Sequence, residues 1–160
     1  SVDPANLTYI RRREWSAFDE MDAVLNRESV VRGVSGLSAD MRDGLAAADA
    51  GNEQARLAID MYVYRVQKAI GGFYAAMTRT DAVVMTAGIG ENSAELRELI
   101  FDGLAHMGMI LDRERNHVVG QIGVNRIISI DDSPIKICVV TTDEEMRIAR
   151  ETDNLVSQLG

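Results

Sequence analysis

The stretch Val83-Val84-Met85-Thr86-Ala87-Gly88-Ile89-Gly90-Glu91-Asn92-Ser93 decides the fold. Ala82 to Met85 is short, apolar and β-branched, the pattern of a buried strand. Two glycines come next, and helical periodicity resumes near Ser93. A strand that turns through glycines into a helix is the repeating piece of an α/β domain. Such a turn exposes backbone N–H groups and the positive end of a helix dipole to a phosphate, ribose or base. A tight turn with no ligand fits these residues equally well, and both readings stay open here. Two nucleotide motifs can be checked directly. No Gly-Lys-Ser/Thr follows, so the P-loop is excluded. The dinucleotide fingerprint Gly-x-Gly-x-x-Gly fails at its third glycine, where Ser93 stands. Asp112 nevertheless lies 24 residues after Gly88, near the place of a ribose-binding acid. An NAD-binding oxidoreductase domain using Gly88, Gly90 and Asp112 therefore remains an alternative.

Working outward, the strongest helix precedes this stretch, from about Asn52 to Met77. Ala55, Ala58, Ile59, Tyr62, Val63, Val66, Ile70 and Phe73 recur at three- and four-residue steps, which predicts an inward stripe. A second helix is expected over Ser93–Met107. Short strands are expected at Ile110–Leu111, Ile127–Ile130 and Ile135–Val140. A last helix starts near Asp143, with Thr142 and Glu145 spaced as a capping box. Its buried side is expected to be Met146, Ile148, Ala149, Thr152, Leu155, Val156 and Leu159. Before residue 45 the pattern gives short helices near Pro4–Trp15 and Ser16–Asn26, then an ordered loop over Val30–Asp43. The order is helices, strand, helix, strands, helix: an α/β fold with a mixed or parallel sheet flanked by helices.

Composition limits the function. The chain has 160 residues, 46% apolar and 26% charged, the balance of a soluble globular protein. A chain of this size can bury about 70% of its unfolded surface. No stretch approaches the ~18 apolar residues of a membrane span. The polar first fourteen residues give no support for a secretion signal. One cysteine, Cys138, excludes an intramolecular disulfide framework and a multi-cysteine zinc site, and a reducing cytoplasm is the natural expectation. The net charge of −8 argues against nucleic acid and anionic membranes as partners. An anionic ligand would need backbone donors or a metal to offset that field.

Two further stretches carry possible chemistry. Thr141-Thr142-Asp143-Glu144-Glu145 opens a helix with three acids after an apolar strand. Acids are favoured in a first turn for electrostatic reasons alone, while carboxylates at such a place can also serve magnesium bound to phosphates. Ser35-Gly36-Leu37-Ser38-Ala39-Asp40-Met41-Arg42-Asp43 is either a polar ligand loop or a capped turn with a surface ion pair. His106 and His117 have no partner at metal-ligand spacing. Cys138 reads as an inert buried thiol, and Arg11-Arg12-Arg13 as a solvated face.

Taken together, the three stretches in this order resemble the C-terminal part of the acetokinase family of short-chain carboxylate kinases. The resemblance runs from Ser1 to about Thr152. It implies a lobe of the ribonuclease H-like, actin-like ATPase superfamily that also contains sugar kinases and Hsp70. It implies transfer of the ATP γ-phosphoryl to acetate or a similar carboxylate, with magnesium, giving acetyl phosphate and ADP. On this resemblance Asp40, Met41 and Arg42 meet the adenine and ribose end of ATP. Gly88, Ile89, Gly90, Glu91 and Asn92 form the nucleotide loop, and Glu144 is the magnesium-linked glutamate. A homodimer joined mainly through this lobe is implied as well.

The whole chain, residues 1–160, is expected to be the C-terminal lobe, with the N-terminal lobe absent. No catalytic residue of the family is then present, and the chain is expected to be inactive alone. One local departure stands out: the family's Pro-Thr-Asn-Glu-Glu reads Thr141-Thr142-Asp143-Glu144-Glu145 here, adding a charge beside the metal position. A non-catalytic dimerisation module on the same fold is the remaining alternative.

Overall fold

The structure is a computed structural model. It describes residues 9, 31–38, 40–118, 125–142 and 144–159, with 31, 144, 145, 158 and 159 described by backbone only. The expected helices near Pro4–Trp15 and Ser16–Asn26 and the Arg11–Arg13 run lie outside these residues, apart from Tyr9, which is helical and exposed. The chain divides into two compact units, Ser1–Val66 and Gln67–Gly160.

In the first unit the segment read as a loop contains two helices, α1 (Val31–Ser35) and α2 (Met41–Asp49). The glycine and serines stop one helix and start the next. Gly36 takes φ 68°, a left-handed conformation that glycine adopts without strain. Ser35 Oγ accepts the Leu37 N–H at 3.2 Å, and Ser38 Oγ accepts the Asp40 N–H at 3.0 Å. Asp40 then caps α2 by accepting the Arg42 N–H at 2.9 Å. Asn52 starts α3 (Glu53–Ala76), whose residues from Gln67 on belong to the second unit, in the same way, its Oδ1 accepting the Ala55 N–H at 3.0 Å. The predicted stripe of α3 holds at Ala55, Ala58, Ile59 and Val63, which are buried. It fades beyond: Tyr62, Val66 and Ile70 are half-buried, and Phe73 is 67% exposed.

The second unit holds a three-stranded mixed sheet in the order β1-β3-β2, with β1 (Ala82–Met85), β2 (Arg126–Ile127) and β3 (Lys136–Val139). β1 runs parallel to β3, in a register from Ala82 opposite Lys136 to Met85 opposite Val139. β2 is antiparallel to β3, and the expected strand at Ile110–Leu111 reduces to a bridge between Leu111 and Ser129. Between β1 and β2 come α4 (Ala87–Asn92), α5 (Ala94–Asp102), a 3-10 turn (Ala105–Met107) and α6 (Arg113–Asn116). α7 (Glu144–Leu159) follows β3. Leu96, Ile100, Phe101, Met109, Ile128, Ile137 and Val139 are each 1% exposed or less and make the interior. Removing side chains of this kind from water is the main stabilising term.

Three burial expectations are corrected. Among the described residues β1 is an edge strand, and Val84 on one of its faces is 54% exposed rather than buried. Cys138 is half-buried, because β3 alternates and buries Ile137 and Val139 instead. The apolar stripe of α7 is open: Met146, Ile148, Leu155 and Val156 are 48–65% exposed. Periodicity predicts which face of a helix is apolar, not whether a given chain supplies the surface to cover it. Among the described residues no helix is long and apolar enough to cross a membrane.

Candidate functional site

Parallel pairing of β1 and β3 puts the segments after both strands at the same edge of the sheet. In open α/β sheets ligands bind at this carboxyl edge. Here the pairing extends past the strands, with the Val140 N–H donating to Met85 O at 2.9 Å. The stretches Thr86–Asn92 and Thr141–Thr142, distant in sequence, thereby meet.

The residues expected to form a Gly loop form a short helix instead. α4 begins directly after Thr86, whose side chain does not cap it. Ala87 enters at φ 59°, a left-handed conformation costing an L-residue roughly 1–2 kcal/mol. The two glycines differ. A Cβ on Gly90 would lie 3.2 Å from the backbone carbon of Met85, so Gly90 lets α4 pack on the end of β1. A Cβ on Gly88 would meet nothing within 4 Å, so Gly88 borders open space. Ser93, at the missing third glycine, ends α4 and starts α5, its Oγ accepting the Leu96 N–H at 3.3 Å.

Glu91 ties this turn to the other stretch. Its Oε1 accepts the Ala87 N–H at 2.8 Å, the Thr142 N–H at 2.9 Å and the Thr142 hydroxyl at 3.0 Å. Donation by the Thr142 N–H holds its carboxyl below the usual glutamate range against the opposing effect of burial, with smaller help from the Thr142 hydroxyl, the Ala87 N–H and the Thr86 side chain. Asn92 is also engaged, its side-chain amide donating to Gly88 O at 2.9 Å.

Arg97 does not stand out in the sequence, where it looks like any arginine of an amphipathic helix. It is 2% exposed. Its Nη1 donates to Gly90 O and Glu91 O at 2.9 and 3.0 Å. Its Nε and Nη2 donate to Asn116 Oδ1 and O at 2.7 and 3.1 Å. Asn116, 1% exposed, in turn donates to Ala94 O at 2.9 Å. The guanidinium thus satisfies the last carbonyls of α4, where a cation is favoured. Burial first, and the neighbouring Arg126 second, push its pKa down to about 10, so it stays charged at neutral pH. The available signal is its position between Leu96 and the apolar pair Ile100–Phe101, which places it on the buried face of α5.

Asp40, Met41 and Arg42 belong to the other unit. Arg42 Nη2 donates to Asp40 Oδ2 at 2.6 Å and Nε to Oδ1 at 3.1 Å, which holds the Asp40 carboxyl at about 2. Arg42 points outward, whereas Met41 is 7% exposed and buried. Asp112, the acid of the NAD alternative, caps α6 by accepting the Arg115 N–H at 3.0 Å and pairs with Arg115 Nε at 3.2 Å. That local task accounts for its position without a ribose. His117 is exposed and pairs with Glu98 at 2.8 Å, a surface role.

The magnesium expectation falls at Glu144, the first residue of α7, beside the limit of the described residues. Asp143 and the side chains of Glu144 and Glu145 lie outside them, as does the expected capping box. Among the described residues no group of three or more His, Cys, Asp or Glu gathers as a metal site.

Comparison with known proteins bears on the whole chain. The acetokinase family profile matches residues 1–150. An acetate kinase of Clostridium botulinum (strain Loch Maree / Type A3) is 45% identical over 157 residues, covering 98% of this chain and 39% of that relative. The crystal structure of Porphyromonas gingivalis acetate kinase superposes with a TM-score of 0.82 at 38% identity, over 98% of this chain and 39% of that one. A propionate kinase from Francisella tularensis superposes at 0.79 with 32% identity, over 94% of this chain and 38% of its own. The fold is therefore the acetate kinase fold of the actin-like ATPases, here helices around a small mixed sheet, and the chain spans about 39% of the length of such relatives. With matching three-dimensional structure and a profile covering nearly all of its residues, the chain belongs to the acetokinase family.

Proposed function

We propose that the chain is the C-terminal, nucleotide-binding and dimerising lobe of a cytoplasmic kinase that moves the γ-phosphoryl of ATP to acetate or a similar short-chain carboxylate. One observation carries this reading: parallel β1 and β3 bring Thr86–Asn92 and Thr142 together at the carboxyl edge of the sheet. Gly88 borders open space there, which leaves room for a ligand to approach the backbone. On this reading Gly88, Ile89, Gly90, Glu91 and Asn92, on α4, form the nucleotide-binding segment. Asp40, Met41 and Arg42 serve the adenine and ribose end. Glu144 is the magnesium-linked carboxylate, and the metal, when bound, offsets the phosphate charge. The exposed apolar face of α7 supports a dimer, since an open stripe of this kind marks an interaction surface. Transfer itself depends on positioning and on charges that stabilise the moving phosphoryl group. On the lobe reading those charges come from residues outside these 160, which bind nucleotide without transferring it.

Calorimetric titration of the chain with ADP plus magnesium, and separately with NADH, tests the reading. Saturable ADP binding with no response to NADH is expected. Binding of NADH alone would overturn it in favour of the oxidoreductase reading.

A further inference from the structure

We propose that Glu91 is a positioning residue: its carboxylate clamps the α4 turn to Thr142, and so holds the mouth of the nucleotide site in shape without touching the nucleotide. The proposal rests on the nucleotide reading above and deepens it.

Three observations and one electrostatic argument converge on Glu91. One oxygen, Oε1, takes three donors from two stretches: Ala87 N–H on its own turn, and the N–H and hydroxyl of Thr142, 51 positions on. Its main chain is fixed separately, because Glu91 O accepts from the buried Arg97 at 3.0 Å. Side chain and backbone are therefore pinned from opposite ends. The clamp also bears on Ala87, held at φ 59° with its N–H on the carboxylate. A non-glycine residue persists there only when its surroundings over-determine it, and such strain gathers at ligand clamps. Finally, a carboxylate is a poor direct partner for a polyphosphate, since like charges repel at close range. The same carboxylate is well suited to gathering backbone donors.

The clamp joins two stretches that the β1–β3 pairing also brings together. Thr142 stands two residues before Glu144 and at the end of the β3 exit. Releasing it would free the entry of α7 and the left-handed entry of α4 together, while leaving the sheet intact.

The test uses the chain itself, with hydrogen–deuterium exchange and ADP titration on Glu91→Ala, Glu91→Gln and Thr142→Val. In Glu91→Ala the amides of Ala87 and Thr142 should exchange about tenfold faster, the scale of a lost charge-assisted hydrogen bond. Those of Ile137 and Val139 should not change. ADP affinity should fall about tenfold in the same variant. Glu91→Gln keeps an acceptor oxygen and should restore most protection and most affinity. Thr142→Val keeps the N–H donor and should fall between, and adding it to Glu91→Ala should make nothing worse.

Unchanged protection at Thr142 in Glu91→Ala would overturn the clamp, as would uniform loss across the sheet. Lost protection with unchanged ADP affinity would overturn the positioning role. Weak ADP binding by Glu91→Gln with protection intact would assign Glu91 a direct contact instead. A wild-type chain that takes up no ADP overturns the nucleotide reading and the positioning role with it, while the exchange pattern still shows whether the clamp exists.

Discussion

The turns at Asp40–Arg42 and Thr86–Asn92 both join an acid to a helix start, yet they differ in how far their polar groups reach. At the first, the carboxylate of Asp40 is used within two residues, by the main chain and guanidinium of Arg42. At the second, Glu91 reaches 51 residues to Thr142, and the carbonyls of Gly90 and Glu91 are met by Arg97. The first turn is organised by its own sequence. The second exists only because β1 and β3 pair and α5 folds back on α4. A site that must keep two stretches in register needs the second kind of construction.

The sharpest way to break the second turn alone is to remove Arg97. Arg97→Ala leaves Gly90 O, Glu91 O and Asn116 without their buried donor, and each orphaned group costs about 1–3 kcal/mol. A loss of about 3 kcal/mol or more in urea unfolding is expected. A loss below about 1 kcal/mol would show that the turn does not depend on this side chain.

Gly90→Ala should do less harm by a different route. Its Cβ would press on the Met85 backbone at 3.2 Å, which β3 holds in register, so the misfit should cost about 1–3 kcal/mol despite alanine's better helix propensity. A stabilised Gly90→Ala chain would mean that α4 is free to move off the strand.

The smallest effect belongs to the first turn and is a matter of pH. The Asp40 carboxyl is lowered from 3.8 to about 2 by Arg42, so its contribution is fully present above pH ~4. It is lost as pH falls through about 2. Side-chain NMR titration should find Asp40 ionising near that value. In Arg42→Ala the midpoint should return toward 3.8. An unshifted Asp40 in the parent chain would remove the contrast between a turn closed on itself and one closed at long range.

Local pattern carried much of the architecture. The strand Ala82–Met85 has the expected bounds, and the helix read as Asn52–Met77 is Glu53–Ala76. The strand stands on a short apolar, β-branched run and the helix on dense periodicity. The Gly88–Asn92 segment is legible as a candidate site but not as a helix, because two glycines lower helix propensity and tertiary anchors override it. Glu91–Thr142 and Arg97–Asn116 could not be read at all, since each partner lies 51 or 19 residues away and no local spacing reports a long-range hydrogen bond. The open faces of β1 and α7 escape a sequence reading because alternation and periodicity say which side is apolar, never what covers it.

On the proposed function, the carboxyl edge of β1 and β3 receives a nucleotide beside Gly88. Gly88→Val is the decisive probe, because a Cβ there meets no protein atom within 4 Å and the substitution should leave folding nearly intact. Titrating ADP with magnesium into the parent chain and this variant should show affinity at least about tenfold weaker in the variant, with melting temperature little changed, the outcome for a side chain intruding on a ligand's space. Equal ADP affinity in two equally folded chains would contradict nucleotide binding at this edge.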